Sequence, residues 1–434
     1  PVSTAVVATS TSQASAVAST SSAAVTAVGT PGGVQFYAYL DPTSAQAQQE
    51  KLLAGWHTLH PTIPVEIILQ PGSTVDAITK LTTLVASGTP PDVLMDLGTG
   101  RNLSQLQLVQ SLDDLIGRDK TDMTQFNSKT LDYKSRFQGK TYMIPYETGG
   151  NAIGLLYNRQ LFQQAGVAEP PDKWDQTWSW AQWVDNLTRL TKTGADGQVS
   201  QFGLGGYGYF IDYPIPYGGQ WLTNDFTTIV CDSPETIQAY SDFADLLLKQ
   251  HVTARPGEAT TLFGKGDTFT MQKAAIASIG PWDIPTYVGG KAPGVDWTFM
   301  PFPKAKIATP DISPVALALV QGAKHRDDGW TLLQWLVQDS NLATFLQRPP
   351  AAQSDLASWA AKTFKDFPNS RWQVFVDGVP LAQPPDNILL HPKWSVMLKT
   401  VITPTFNQIW AGSKAVATAM REMKPTLQQL VDQT

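Results

Sequence analysis

Large rings set in loops are the residues of this chain best placed to do chemistry. Tyr207, Tyr209, Phe210, Tyr213 and Tyr217 crowd a stretch that Gly203, Gly205, Gly206, Gly208, Pro214, Pro216, Gly218 and Gly219 keep from forming a regular element. Trp282 follows Gly280-Pro281, a turn pair that projects it from the end of an apolar strand, Ala274 to Ile279. Trp394 follows His391-Pro392-Lys393 and precedes a helical pattern carrying Val396, Val401 and Ile402. Such rings can stack on a flat apolar surface of a ligand. Each also has a plain structural use, as a plug between a helix and a sheet. Asp41, Asp96 and Arg101 offer the complementary chemistry, charge-assisted hydrogen bonds to polar groups. Either Asp could instead cap a helix or a turn. Two of them at equivalent positions mean more than one.

The elements that must position these residues begin at Val34. Val34 to Leu40 is an aromatic and β-branched run bounded by Gly33 and Asp41-Pro42, which reads as a strand. Leu52, Leu53, Trp56 and Leu59 recur at helical spacing until Pro61. Val65 to Leu69 is a second strand, and Val75, Ile78, Leu81, Leu84 and Val85 mark a second helix ending at Gly88. Asp92 to Asp96 gives a third strand, closed by Gly98 and Gly100. The β-α-β-α-β order implies a doubly wound α/β sheet, in which ligands bind beyond the carboxyl ends of the strands. Asp41 and Asp96 stand at two of those ends. Between the apolar stretches of 137–158, Pro145-Tyr-Glu-Thr-Gly-Gly150 suits either a hairpin or a crossover between lobes. Trp178, Trp180, Trp183 and Leu187 read as the start of a helix, mostly as core.

Composition closes off several function classes. The 434 residues carry 31 basic and 37 acidic side chains, a net charge of −6, without the basic stripe that phosphate backbones require. A single cysteine, Cys231, excludes an intrachain disulfide and a thiolate metal site. No apolar run nears the roughly 18 residues needed to cross a bilayer. Gly203-Leu-Gly-Gly-Tyr-Gly208 has the form G-x-G-x-x-G but lacks the following helix and the acidic residue that nucleotide binding needs. Gly139-Lys140-Thr141 ends like a phosphate-binding loop, yet its upstream glycine position holds Lys134. His57 and His60 have no acidic partner beside them, and no G-x-S-x-G elbow exists. No metal, cofactor or catalytic residue is expected.

Residues 1–33 contain no charged and no aromatic side chain, and we read them as a disordered Ser/Thr/Ala-rich tether. They show no basic start and no apolar core of a signal peptide. The abrupt start suggests a mature lipoprotein whose lipidated Cys lies upstream; the plain alternative is an arbitrary boundary before a secreted domain.

Four segments carry a family resemblance: PPDVLMDL (90–97), QGKTYMIPYETGGNAIGLLYNRQLF (138–162), LFGKGDTFTMQKAAIASIGPWDI (262–284) and HPKW (391–394). With them the chain resembles, over roughly 34–434, the extracytoplasmic solute-binding proteins of ABC importers, in the branch that contains maltose-binding protein. Ser313-Pro-Val-Ala316 departs from the Gly pair that many relatives carry there. The resemblance implies a periplasmic-binding-protein-like fold of type II, two doubly wound lobes joined by several crossovers. It places 34–145 and 304–345 in the N-terminal lobe, and 146–303 and 346–434 in the C-terminal lobe. It implies a sugar ligand held by hinge closure, membrane ABC permease subunits as partners, no nucleic acid, and a monomer that is periplasmic or anchored through its tether. Trp282 and Trp394 resemble sugar-stacking tryptophans, and Tyr209 and Tyr213-Pro214 an aromatic strip of the second lobe. Asp41, Asp96 and Arg101 fall in the first-lobe site, with Glu147 at the first crossover. A sugar ring has apolar faces and a belt of hydroxyls, which aromatic faces and charged groups match respectively. A secreted carbohydrate-active enzyme would share these residues; a polyamine binder would need more acids, and a sugar-phosphate binder more cations than Arg101 alone.

Overall fold

A computed structural model of the chain describes residues 27–29, 32–40, 42–96, 100–149, 154–205, 210–290, 292–310 and 314–433. Asp41 and Tyr209 lie outside them, as do Tyr207, Ser313 and most of the Ser/Thr/Ala stretch. In chain order the strands are β1 (Ala27–Gly29), β2 (Val34–Ala38), β3 (Val65–Leu69) and β4 (Val93–Met95), then a small hairpin of β5 (Arg136–Phe137) and β6 (Lys140–Thr141). After them come β7 (Ile144–Glu147), β8 (Gly154–Asn158), β9 (Lys192–Thr193), β10 (Val199–Leu204), β11 (Ala274–Ile279), β12 (Trp297–Met300) and β13 (Val315–Leu319).

These strands make two larger sheets. One has the order β1-β3-β2-β4-β13-β7, the other β12-β8-β11-β10-β9. In the first, β3, β2 and β4 are parallel, joined by α1 (Ala45–Leu59) and α2 (Thr74–Ala86). The side chains of β2 alternate between two cores: Phe36 packs with Leu53, Trp56, Val93 and Trp330, whereas Tyr37 packs with Ile68, Leu81 and Leu94. Apolar groups on both faces are what a sheet covered on both sides requires. Ser73 starts α2 sharply, its side chain accepting the Asp76 N–H at 3.1 Å.

One expectation needs correction. Ala27–Gly29 belongs to the stretch read as disordered, yet it pairs antiparallel with Glu66 to Ile68. The free edge of β3 presents unpaired backbone groups, and satisfying them needs no large side chain. Composition, which reports only what side chains could bury, cannot register such pairing.

The second sheet packs under one continuous core that includes Leu155, Trp178, Trp183, Leu187, Ile276 and Phe299. Ser179 and Gln182 form a reciprocal capping box that launches the helix Trp180–Leu190, so the Trp cluster there is core, as its spacing suggests. A further core joins Trp221, Tyr240 and Phe406 to the C-terminal helix Val416–Asp432.

The chain passes between the two large sheets three times. β7 leads to β8 through 148–153, β12 returns to β13 through 301–314, and the helix Asn341–Phe345 leads to the helix Gln353–Thr363. The Pro-rich, Gly-rich stretch after Ile144 is therefore a crossover and not a hairpin. Two of the passages are bonded side by side: the Thr148 N–H donates to Pro349 O at 2.9 Å and the Ala351 N–H to Tyr146 O at 3.2 Å. The Thr148 hydroxyl donates to Pro350 O at 2.7 Å. Few residues, cross-linked, carry the connection, which is the construction of a hinge.

Cys231 tests the packing of the C-terminal core. It is fully buried there, and burial pushes its thiol up to about 12. The native protein should show negligible labelling by a thiol reagent at pH 8, and one thiol per chain in denaturant. Rapid native labelling would mean that the helices over Cys231 are loose.

Candidate functional site

Strand direction decides where a site can lie. β4 and β7 are both antiparallel to β13, so Met95 and Glu147 end at the same edge of the first sheet as Ala38 and Leu69. In the second sheet β10 and β11 are parallel and end at Leu204 and Ile279, with Gly154 of β8 opposite Ile279. From Glu147 to Gly154 the chain can span at most about 25 Å. The carboxyl edge of one sheet is thus held close to the corresponding edge of the other. Residues just beyond these strand ends are the candidates for a site between the sheets.

On the first sheet these positions carry buried charge. Asp96 directly follows β4, accepts the Gly100 N–H at 3.1 Å and pairs with Lys134 at 3.1 Å, both side chains fully buried. Lys134 belongs to a π-helical turn, Leu131–Ser135. A Cβ on Gly100, whose φ is +37°, would lie 2.6 Å from Lys134 Cγ, so only glycine fits over this lysine. Glu147 is fully buried at the end of β7 and accepts from Arg348 Nη1 at 3.1 Å through Oε2. Its Oε1 has no partner. Burial raises the Glu147 carboxyl above the usual range, against the favourable fields of Arg348 and Lys134. The pairing of β7 with β13 slips by one residue at this point, Ala316 lying opposite Pro145 and Val315 opposite Glu147. Such bulges re-aim side chains at strand ends.

Arg101 opens the short helix α3 (Arg101–Gln105). Its guanidinium lies 5.1 Å from the Phe137 ring and 4.1 Å from the Phe226 ring, the second ring coming from beyond the crossover. A second bond spans the same divide, the Tyr133 hydroxyl donating to Asp386 O at 3.3 Å. The Asp386 carboxylate in turn accepts the N–H groups of Trp221, Leu222 and Ile388.

On the second sheet the aromatic residues divide. Trp282 sits on the single turn Pro281–Asp283 after β11 and stays 42% exposed, the only tryptophan among the large exposed apolar residues described. A Cβ on Gly280 would meet its indole at 2.4 Å, so the ring folds back across that glycine. Asp283 anchors the turn by accepting the Gly280 N–H at 2.8 Å. Trp394, at the start of the helix Trp394–Met397, is half-buried against the C-terminal core. Tyr213 packs on Phe243 with ring centroids 4.4 Å apart.

Asp96, Arg101 and Glu147 therefore gather at one corner, and Trp282 stands beyond the facing strand end. Sequence reasoning missed Lys134 and Arg348. Lys134 drew notice only for spoiling a phosphate loop, and Arg348 stands 201 positions from Glu147, so no local spacing could join them.

A pair of α/β sheets, joined through bonded crossovers and presenting polar and aromatic groups at facing strand ends, defines a two-lobed binding protein of the periplasmic type. Residues 41–343 match the family of bacterial extracellular solute-binding proteins, and the chain belongs to that family. A binding protein of Brucella abortus (strain 2308) is 23% identical over 302 residues, which cover 66% of this chain and 65% of that relative's length. An ABC substrate-binding protein from Listeria monocytogenes in complex with cycloalternan superposes with a TM-score of 0.74 at 16% identity, over 92% of this chain and 98% of that one. UgpB from Mycobacterium tuberculosis, in complex with glycerophosphocholine, gives 0.73 at 19% identity, over 93% and 99%. A maltodextrin-binding domain from Bdellovibrio bacteriovorus bound to maltotriose gives 0.68 at 17%, over 92% and 99%. Among the described residues, no helix is long and apolar enough to cross a membrane, and no cluster of acids, His or Cys has the makings of a metal site.

Asp386 gives the site region a pH signature. Burial holds its carboxyl up at about 7, where a free carboxyl has 3.8, although three N–H groups favour the ion. Between about pH 4 and pH 7 the folded protein keeps a proton that the unfolded chain has lost. Stability must fall as pH rises through that window. Denaturant titrations at pH 4.5, 6 and 7.5 should show this decline in the wild type and a flatter profile in Asp386→Asn. Parallel profiles would assign the decline to another group.

Proposed function

We propose that this chain captures a sugar or oligosaccharide outside the cytoplasm, by closure of two lobes, and delivers it to the permease of an ABC importer. The lobes divide close to 34–145 with 304–345 and 146–303 with 346–434, the last strand of the first sheet running on to Glu147. The observation that carries the reading is Trp282. A large ring left open to solvent on a tightly built turn at the end of the second sheet, with buried charge at the end of the first, would match the two surfaces of a sugar ring. Trp394 supplies a second ring, and Asp96, Arg101 and Glu147 the polar wall; Asp41, Tyr209 and Tyr213 complete the expected set. Neighbours of the same fold bound to cycloalternan and maltotriose support the ligand class. The closed state is favoured only by the extra affinity the ligand has for it, so contacts must come from both lobes. We further propose that the protein acts as a monomer, periplasmic or tethered to the membrane through its N-terminal segment.

An enzyme reading needs two carboxyl groups free to work on either side of a glycosidic bond. Asp96 and Glu147 are each tied to a cation, which disfavours it. A phosphodiester ligand, as in the glycerophosphocholine complex, is the alternative to test in parallel.

A thermal-shift screen of glycans against the full chain should raise the melting temperature for one glycan class and yield no product on long incubation. For the best member, Trp282→Ala should weaken binding at least about 10-fold in calorimetry, the loss of one stacked ring costing roughly 1.4 kcal/mol or more. Trp394→Ala should weaken it as well, with some loss of stability because that ring also packs on the core. Undiminished affinity in both variants would place the site elsewhere.

A further inference from the structure

The two halves of the chain touch through residues that belong to none of the crossovers. On the first side are Arg101, which opens α3, Tyr133 in the π-helical turn and Phe137 in β5. α3, that turn and β5 pack on one another, so the three side chains come from one assembled unit. On the second side are Phe226, which packs on the C-terminal core, and Asp386, two residues before Ile388 of that core. The Arg101 guanidinium carbon lies 4.1 Å from the centre of the Phe226 ring and 5.1 Å from that of Phe137. The Tyr133 hydroxyl donates to Asp386 O at 3.3 Å.

The second side is built to present these two groups. Phe226 has a φ of +65°, a left-handed conformation that is rare for a bulky residue and persists only where the surroundings enforce it. They do so here. The Asp225 carboxylate accepts the Thr223 hydroxyl at 2.6 Å and the Thr227 N–H at 3.2 Å, and the Phe226 N–H donates to Thr223 O at 2.9 Å. Asn387 Nδ2 donates to Asn224 Oδ1 at 3.0 Å, tying this turn to the segment that carries Asp386. The Asp386 carboxylate holds the N–H groups of Trp221 and Leu222 just before the turn. The ring and the Asp386 carbonyl are thus offered by one braced piece. Across from them Arg101 Nε is buried without a hydrogen-bond partner. A guanidinium short of water is where a ring face attracts most.

We propose that Arg101 with Phe226, and Tyr133 with the Asp386 carbonyl, form a latch that holds the two lobes together before a ligand adds its own contacts. Phe137 supports the guanidinium from its own lobe. One cation–ring contact and one neutral hydrogen bond make a modest bias, so the lobes still part readily. The shift on binding comes from the ligand's differential affinity, and the latch sets the balance from which that shift starts. The inference rests on the lobe closure proposed above and not on the ligand being a sugar.

Small-angle X-ray scattering of the full chain, first without added ligand, tests it. At least about half of the wild type should scatter as the compact form. Phe226→Leu removes the ring and keeps an apolar side chain, and Phe226→Tyr keeps the ring. In Phe226→Leu the ratio of compact to extended protein should fall about 10-fold, with a larger radius of gyration, while Phe226→Tyr should match the wild type. Tyr133→Phe, which deletes one hydroxyl, should lower the ratio about 2- to 5-fold and gives an independent reading if Phe226→Leu folds poorly by circular dichroism. A wild type as extended as Phe226→Leu, or equal opening in Phe226→Leu and Phe226→Tyr, would overturn the latch. For a glycan that binds, Phe226→Leu should weaken affinity about 5-fold, the loss expected when the competent fraction falls from about a half to about a tenth. Unchanged affinity in a variant whose lobes have opened would show that the latch plays no part in capture. If no glycan binds, the sugar-binding reading fails, and the scattering of the unliganded variants still decides the latch.

Discussion

The Glu147–Arg348 pair is the constraint on which the site and the hinge both depend. It joins the last residue of a strand in the first sheet to a segment 201 positions away, beside the hydrogen bonds that hold 146–148 against 349–351. Burying two charges costs more than their attraction returns unless their remaining hydrogen-bonding capacity is met. Here it is not fully met, since Glu147 Oε1 has no partner. A hydrophobic pair of similar volume would hold the crossing at least as firmly. On the proposed reading the ions serve recognition at the crossover more than stability. Removing Arg348 would strand Glu147, whose side chain is fully buried, without its cation, so the geometry is enforced by its own cost.

The division of labour between the sheets follows from how each ends. The first sheet closes on acids paired with cations, at a corner where a π-turn and a bulge fix side chains that regular strands would have aimed elsewhere. The second sheet closes on Gly280-Pro281-Trp282, whose turn admits no side chain at its first position. One wall offers directed hydrogen bonds, the other a flat apolar face. Neither wall alone would select a sugar. Rings without charges would accept any flat apolar solute, and charges without rings would be satisfied by water. On the proposed reading selectivity arises when closure brings both onto one ligand and excludes solvent.

Most of the fold could be read from the chain because it is written locally. The run Val34 to Leu40, the Leu52-Leu53-Trp56 spacing and the Val75-to-Val85 face each state their element within a few residues. The crossover after Ile144 could not be separated from a hairpin, because both use Pro and Gly to turn. Only membership of β7 and β8 in different sheets decides between them. The strand at Ala27–Gly29 was illegible for a related reason: backbone pairing on a sheet edge leaves no trace in side-chain type. Within the candidate site Glu147 came only from the family resemblance, whereas Trp282, announced by a turn, and Asp96, by a strand end, were visible. Lys134 and Arg348 were not, since a lysine in a π-turn and an arginine before Pro349 look like ordinary surface charges until the fold buries them.

The pairing of those two cations with acids also changes how the charge of the candidate corner is counted. With Arg101 as the only visible base, the sequence disfavours an anionic ligand simply for want of positive charge. The structure supplies Lys134 and Arg348 as well, yet each is matched by an acid, and the Arg101 guanidinium is covered by two phenylalanine rings. Three cations near a site would ordinarily favour phosphate. Here the charges of Lys134 and Arg348 are spent on acids within the protein. On the proposed reading phosphate is disfavoured by the arrangement of charge and not by its scarcity, a distinction that residue counts alone cannot make.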